Sequence, residues 1–283
     1  MISLRSLLRF IFNPFRVVRF KFIPAKSITI NKGYKVLRIR IQSAKKNGIP
    51  YQYLDILHDA IVNAWIAAGA TSEQITGMSA LPWHFAPLGK QNKQGKIVHT
   101  LIVSTPDATL AQCLAKINPD NIFYARASTV EKVHFAGAEI KIEVDPILPN
   151  QNALGVLMLS PLAISDKTAS HKKRWHKQLR QCDLSAAINH RLSRIAGREI
   201  KLEIQPDTLY LRCNPDHSVL VPMKLMRNGK TAFVIGMSAP LVLTGSDDDL
   251  RFAWYAGIGE KTRNGFGCMG LAEQGGDSVC RIG

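Results

Sequence analysis

Two Gly-apolar-Gly triplets flank five residues, two of them basic, in a short stretch near the C-terminus, residues 257–267, which reads GIGEKTRNGFG. Glycine is favoured where the backbone takes a positive φ or approaches a ligand closely. Backbone amides next to two cations suit an anion, so this stretch is predicted to bind a phosphate-bearing partner. The residues expected to make the contacts are Gly257, Gly259, Lys261, Arg263, Gly265 and Gly267. The alternative is a tight hairpin between two strands.

The charge of the chain supports an anionic partner. Its 283 residues include 37 Lys or Arg against 21 Asp or Glu, a formal net charge of +16. Residues 1–54 contain 12 Lys or Arg and no acid, and residues 167–198 contain nine with one acid, Asp183. An excess of this kind indicates nucleic acid or an anionic membrane surface as the partner.

The first 34 residues are rich in arginine and lack acids. Because Pro14 and Pro24 interrupt them, they are predicted to form an ordered or RNA-contacting arm, with a targeting segment or a surface anchor as the alternative.

No part of the chain approaches the ~20 apolar residues of a membrane span. The five cysteines are scattered, without a Cys-x-x-Cys pair, which predicts neither a zinc site nor a disulfide framework and indicates a reducing cytoplasm.

The elements that must position these residues begin with a strand at 35–43, in which Arg38 and Arg40 alternate with apolar neighbours. A helix is predicted at 54–68, ended by Gly69. A strand at 96–104, a helix at 108–117 started by Asp107, and strands at 128–135 and 138–144 follow. This order is typical of a ferredoxin-like domain, predicted over residues 35–146, although the fourth strand is not assigned.

A second set of elements follows a linker at 146–152. Strands are predicted at 154–159, 199–205, 209–213, 219–226 and 231–242, with a basic helix at about 169–195 and a short helix at 250–256. These make a second ferredoxin-like domain, residues 153–275, so the fold class is α+β. The adjacent acids Asp247–Asp249 suit a helix start better than a metal site, because neighbouring side chains point in different directions. No metal and no cofactor is predicted.

The basic segment 167–198 has the composition of an RNA contact. Double-stranded RNA is held by shape and phosphate charge more than by base edges. In a helix, spacings of three and four would align Lys173, Lys177 and Arg180 on one face. The predicted contacts are Lys172, Lys173, Arg174, Lys177, Arg180, Arg191 and Arg194. A solvated surface helix is the alternative.

Three short motifs together carry a resemblance to a known family. They are Leu159-Ser160-Pro161-Leu162 at the start of the second half and the triplets Gly257-Ile258-Gly259 and Gly265-Phe266-Gly267. The chain resembles the CRISPR-associated repeat-processing endoribonucleases of the RAMP superfamily, over roughly residues 35–275. A long basic helical insertion in the second domain resembles the variants of the type IV systems.

The resemblance implies paired ferredoxin-like domains and a function. Members bind the repeat hairpin of precursor CRISPR RNA and cut at its base without a metal. The RNA's own 2′-OH attacks, leaving a 2′,3′-cyclic phosphate and a 5′-OH. The implied partners are CRISPR RNA, to which the protein would stay bound after the cut, and other subunits of an effector complex, with no membrane.

The catalytic residues are less clearly marked. The resemblance implies a histidine on or near the first helix, where His58 lies three residues after Asp55. The alternation around Arg38 and Arg40 predicts both guanidiniums on an open sheet face, where Arg38 could clamp the transition-state phosphate and Arg40 could bind RNA. The alternatives are electrostatic RNA binding without chemistry for Arg38 and a solvated side chain for His58. His84, next to Trp83, is predicted to be structural.

Three other functions stay open at this point. One is a catalytically silent RNA-binding subunit of the same effector complex. Another is a general RNA-binding protein with paired ferredoxin-like domains. The third is a peripheral membrane or targeted protein that uses the acid-free N-terminus.

Overall fold

The structure, a computed structural model, describes residues 35–92, 95–126, 131–166 and 174–272. The predicted N-terminal arm, Lys172 and Lys173 lie outside these ranges. The described residues form one compact unit.

The first half of the chain builds a five-stranded antiparallel sheet and a separate hairpin. Its strands are β1 (Leu37–Gln42), β2 (Ile49–Tyr51), β3 (His84–Asn92), β4 (Gly95–Thr105), β5 (Phe123–Arg126), β6 (Glu131–His134) and β7 (Glu139–Ile142). The order across the sheet is β3-β4-β1-β7, with β2 beside the start of β4. Taken as strands two, three, one and four, this is the ferredoxin-like order.

No strand is predicted from the sequence at the position of β3, the second strand of this order. Strand β3 contains Pro87, which cannot donate a ladder hydrogen bond. The strand pairs with β4 and lies at the edge of the sheet, where proline is tolerated.

Three helices accompany this sheet: α1 (Leu54–Ala67), α2 (Ser72–Thr76) and α3 (Ala108–Leu114). The predictions of α1 and α3 are confirmed, including the N-terminal cap of α3, where the Asp107 carboxylate accepts from the Leu110 amide at 2.9 Å. Leu37, Ile39 and Ile41 of β1 are buried in one cluster with the apolar face of α1.

The second half contains β8 (Ala153–Met158), β9 (Ser165–Asp166), β10 (Arg174–Trp175), β11 (Glu203–Pro206), β12 (Ser218–Leu225), β13 (Thr231–Met237), β14 (Leu241–Thr244) and β15 (Met269–Leu271). Its helices are α4 (Leu184–Ala196), α5 (Thr208–Cys213) and α6 (Asp247–Ala256). The four-stranded sheet has the order β11-β14-β8-β15, again the ferredoxin-like order. The prediction of two tandem ferredoxin-like domains is confirmed.

The prediction of one basic helix over residues 169–195 is wrong in its described part. Strand β10 and a short 3-10 helix, Leu179–Gln181, precede α4, which begins only after Asp183. The Asp183 carboxylate caps α4 by accepting from the Ala186 amide at 2.9 Å. Helix α4 lies between β8 and β11 in the chain, so it is the first helix of the second ferredoxin-like domain, and no long basic helix is inserted in the described residues.

The strand predicted at 209–213 is also wrong, because this segment is helix α5. The Asp207 carboxylate accepts from the amides of Leu209 and Tyr210, both at 2.9 Å, and this cap outweighs the strand preference of the Leu-Tyr-Leu sequence. The strand predicted at 231–242 is divided into β13 and β14 near Pro240.

The two halves meet on the face of the first sheet that carries Arg38. Arg38, Ser104 and His84 form one row across β1, β4 and β3. Trp254 of α6 lies 4.3 Å from the Arg38 guanidinium, and the carbonyl of Met269 accepts from Arg38 Nη2 at 2.7 Å. The predicted open face is therefore covered by the second half.

None of the helices in the described ranges combines the length and the apolar composition that a bilayer crossing requires.

Candidate functional site

The glycine loop, residues 257–267, is packed inside the protein instead of standing in solvent. All four of its glycines are buried and have φ between +70° and +88°. A Cβ on Gly267 would lie 1.8 Å from the Ile258 carbonyl oxygen, so the two triplets touch through their backbones. Only glycine allows both this approach and this φ.

Several amides of the glycine loop, including those of Gly257, Gly265 and Gly267, donate within the protein. Gly267 donates to the Pro161 carbonyl at 3.0 Å, Ile258 to the Gly267 carbonyl at 2.9 Å, and Gly257 to the Ala253 carbonyl at 2.9 Å. The expectation that the glycines cradle an anion with their backbone is therefore wrong for Gly257 and Gly267. Gly265 donates to Thr262 and is likewise engaged. The glycines shape the loop, and a contact with a partner would fall to side chains such as Lys261, which is exposed.

Those side chains line a groove of about 620 Å³ between the two halves of the chain. One wall is the segment 78–83, the second is the C-terminal part of α4, and the third is the loop at 261–264. The four cations of the groove are Arg191, Arg194, Lys261 and Arg263, and no acidic residue lines it among the described residues. We call this the basic groove.

Arg191 is the structural centre of the basic groove. Its guanidinium donates to the Gly257 carbonyl at 3.2 Å and to the Thr262 hydroxyl at 2.6 Å. Burial, followed by the neighbouring charges of Arg194 and Arg263, lowers the pKa of Arg191 to about 10. Arg191 stays protonated at neutral pH, and an anion in the groove would relieve the repulsion among the three guanidiniums.

Arg263 joins the loop to the first half of the chain. It donates to the carbonyls of Ile75 and Gly77, at 3.1 and 3.3 Å, at the C-terminal end of α2. Cations are favoured at that end of a helix. Burial lowers the pKa of Arg263.

His58 does not line the basic groove, but it contacts a residue of the groove wall, Trp83. Its ring stacks on Trp83 with a centroid distance of 5.6 Å, and the Trp83 carbonyl accepts from the Thr262 hydroxyl at 3.3 Å. The side chain of His58 is 18% exposed, and its Nδ1 is 2.9 Å from Asp59 Oδ1. The carboxylate beside His58 is thus Asp59, whereas Asp55 pairs with Arg126 at 2.9 Å.

Arg38 and Arg40 are not in the basic groove. Arg38 is 1% exposed, and Glu143 accepts from both arginines, at 2.5 Å from Arg38 Nε and at 2.8 Å from Arg40 Nη2. Burial opposes ionisation of Glu143, but the two guanidiniums outweigh it and hold the pKa of Glu143 below its ordinary value. The open phosphate clamp expected for Arg38 is corrected to a buried ion pair, because an RNA phosphate has no access to it.

The rest of the basic segment divides into separate environments. Lys177 and Arg180 are exposed on the stretch before α4, and they share no helical face, because Lys177 precedes the short 3-10 helix that contains Arg180. Arg194 is exposed on α4 one turn from Arg191. Arg198 pairs with Asp249 at 2.5 Å. The side chain of Arg174 lies outside the described residues.

Sequence reasoning missed two parts of the groove. One is Thr262, which receives Arg191 and contacts the Trp83 carbonyl. The other is the segment 78–83, whose only sequence signal is the Trp83-His84 pair in an aromatic and proline-containing stretch.

The second half of the chain matches a known family. Residues 144–271 match the family model "CRISPR associated protein Cas6, C-terminal". A search of curated protein sequences found no match.

Solved structures share the fold over most of the chain. A Cas6-related gene product from Pyrococcus furiosus is 19% identical, with a TM-score of 0.59, over 84% of this chain and 99% of that one. A RAMP protein described as binding different RNA substrates is 18% identical, with a TM-score of 0.59, over 83% and 99%. A Cas6 product complex is 14% identical, with a TM-score of 0.54, over 83% and 98%.

The domain match covers the glycine loop, α4 and the groove arginines, and the structural matches extend over both ferredoxin-like domains. Residues 144–271 are thus similar to the C-terminal domain of the CRISPR-associated Cas6 proteins.

Proposed function

We propose that the protein binds the repeat hairpin of precursor CRISPR RNA in the basic groove and cleaves it there. The observation that carries this proposal is the groove itself, which has four cations, no acid among the described lining residues, and a histidine stacked against its wall. Phosphate contacts supply most of the affinity of a protein for nucleic acid, and a groove of one sign concentrates them.

His58 is the group we propose for proton transfer. The Asp59 carboxylate can only accept, so the His58 Nδ1 carries the hydrogen and Nε2 keeps its lone pair. Nε2 would take the proton of the 2′-OH as the 2′ oxygen attacks phosphorus. The bond from phosphorus to the 5′ oxygen then breaks, and the 5′ oxygen takes up a proton, which gives a 2′,3′-cyclic phosphate and a 5′-OH.

The groove cations have the second role in this reaction. The phosphorane that forms during the attack carries additional negative charge, and guanidinium and ammonium groups held nearby stabilise it. Arg191 is held in place by the Gly257 carbonyl and the Thr262 hydroxyl, so it needs little reorganisation. The side chain of Lys261 is exposed, so its ammonium group can move with the RNA phosphate as the reaction proceeds.

Location and partners follow from the proposed substrate. The four cysteines within the described residues are free thiols, which suits a reducing cytoplasm. Retention of the cleaved hairpin and association with other effector subunits, including those of a type IV system, stay predictions.

Cleavage of a repeat RNA in EDTA tests the proposal. We expect a single cut in the hairpin, and we expect one 2′-deoxy substitution at the cut nucleotide to abolish it while affinity is unchanged. Binding without a cut would favour the alternative of a non-catalytic RNA-binding subunit. Cleavage that survives the missing 2′-OH would contradict the mechanism.

A further inference from the structure

His84 occupies a special place between the two halves of the chain. It is the first residue of β3, is fully buried, and directly follows Trp83, whose ring packs into the first core. The side chain of His84 lies on the opposite face of the sheet, in the row with Ser104 and Arg38. Residues 83 and 84 therefore contact both halves of the protein.

The His84 ring is in direct contact with the start of the glycine loop. Its Nδ1 is 3.1 Å from the Tyr255 carbonyl oxygen, which also accepts from the Ser104 hydroxyl at 3.1 Å. A carbonyl only accepts, so Nδ1 carries the hydrogen. A Cβ on Gly257 would lie 3.0 Å from His84 Cγ, so the ring and the loop backbone are in contact without space between them.

Two residues of the glycine loop, Gly257 and Thr262, connect these contacts to the basic groove. The carbonyl of Gly257 accepts from Arg191, and the hydroxyl of Thr262, which also accepts from Arg191, donates to the Trp83 carbonyl. The pair Trp83-His84 thus contacts the loop at both points where the loop holds Arg191. A shift of the His84 ring would move the Gly257 carbonyl and change the direction of the Arg191 guanidinium.

We propose that His84 is a positioning residue, whose Nδ1–H and ring fix the start of the glycine loop on the first sheet and thereby orient Arg191 in the basic groove. The effect of His84 on RNA binding rests on the proposed function, whereas its anchoring of the glycine loop does not.

The electrostatic surroundings keep this donor neutral. Burial, followed by the charge of Arg38, lowers the pKa of His84 well below its ordinary value, and Arg191 acts in the same direction. Arg38 lies on β1 and Arg191 on α4, so cations approach the ring from both halves of the chain. The neutral ring donates one hydrogen bond and adds no charge to the junction.

Hydrogen exchange of the peptide spanning residues 257–267 tests the anchoring directly. His84→Phe keeps a ring and removes the donor, and we expect exchange in this peptide to rise about tenfold, the effect of losing one buried hydrogen bond. His84→Asn places an amide donor near the position of Nδ1, and we expect it to restore most of the protection. A merely structural role would raise exchange equally across both sheets.

His134→Phe is the matched control. The His134 ring also contacts a backbone carbonyl, that of Asp120 at 3.2 Å, but lies in the β5–β6 hairpin of the first half. We expect no change in the loop peptide. If His84→Phe does not fold, Ser104→Ala removes the other donor to the Tyr255 carbonyl, and we expect a rise of about threefold confined to the loop. Unchanged loop exchange in the folded variant, or an Asn variant no better than Phe, overturns the proposal.

The affinity for a repeat hairpin gives the second readout. We expect His84→Phe to weaken binding about tenfold, and His84→Asn and His134→Phe to bind like the wild type. Wild-type protein that fails to bind the hairpin contradicts the proposed function, while the exchange experiment still decides the role of His84. Normal binding by a variant with a loosened loop contradicts the link from His84 to Arg191.

Discussion

Two pairs of arginines in this molecule have opposite surroundings. Arg38 and Arg40 are paired with one carboxylate, Glu143, and Arg38 is sealed between the two domains. Arg191 and Arg194 face a groove that contains no acid among the described lining residues. The comparison shows that a basic sequence does not by itself make a binding surface. The position of the nearest acid decides whether an arginine supports the fold or is left for a ligand.

The largest loss of stability is expected when the buried Arg38 loses the carboxylate of Glu143. Glu143→Gln leaves Arg38 buried without a counter-charge, and we expect the free energy of unfolding to fall by about 3 kcal/mol. Chemical denaturation measures it. The control is Glu139→Gln, which removes an exposed pair with Lys141 at 3.1 Å and is expected to cost less than about 0.5 kcal/mol. Equal costs would show that the interdomain pair is no stronger than a surface pair.

A second change tests whether the groove depends on close backbone packing. Gly267→Ala places a Cβ 1.8 Å from the Ile258 carbonyl, whereas Gly229→Ala meets nothing within 4 Å at a similar positive φ. Both variants lose about 1 kcal/mol from the left-handed backbone conformation. We expect Gly267→Ala to lose about 2 kcal/mol more in chemical denaturation, because the two glycine triplets of the loop must move apart. Similar losses in the two variants would contradict the tight loop.

A third change tests whether RNA is bound by the cations of the basic groove or by positive charge elsewhere on the surface. We expect the double variant Arg194→Ala and Lys261→Ala to bind a repeat hairpin at least about tenfold more weakly, with the slope of log affinity against log salt reduced by about 2. The control removes Lys141 and Lys201, each paired with an exposed glutamate at 3.1 Å. Equal losses in the two double variants would mean that RNA is held by general charge.

The smallest effect is a dependence of stability on pH. The pKa of Glu143 is lowered in the folded protein, so its stabilising contribution is present above pH 4.5, its ordinary value, and is lost as pH falls below that value towards the folded pKa. Thermal unfolding at pH 3 to 6 should show a shallower loss for Glu143→Gln than for Glu139→Gln. Parallel curves would contradict the role of Glu143.

Much of the fold was predictable because local patterns and tertiary structure agree. The alternation around Arg38 marks β1, and the apolar spacing after Tyr53 marks α1. Strand β3 was not predictable, since Pro87 is tolerated only because the strand lies at a sheet edge. Helix α5 has a Leu-Tyr-Leu sequence typical of a strand, and the cap by Asp207 that makes it a helix is not part of that pattern.

The candidate site was only partly predictable. The glycine loop and Arg191 stand out in the sequence, but the glycines serve packing and the contact side chains lie between them. The placement of Arg38 was wrong because an alternating pattern shows that a residue faces away from one core, without showing that a second domain covers it. The link from His58 through Trp83 to Thr262 joins residues more than 170 positions apart and has no local signal.

Single-turnover cleavage of a repeat hairpin by His58→Ala in EDTA, with affinity measured on the same samples, tests the central claim most directly. The account predicts that the rate constant falls at least about 100-fold, the usual contribution of a proton-transfer group, while the affinity changes less than about threefold because the groove cations remain. A variant that cleaves like the wild type, or a wild-type protein that binds the hairpin and leaves it intact, would contradict it.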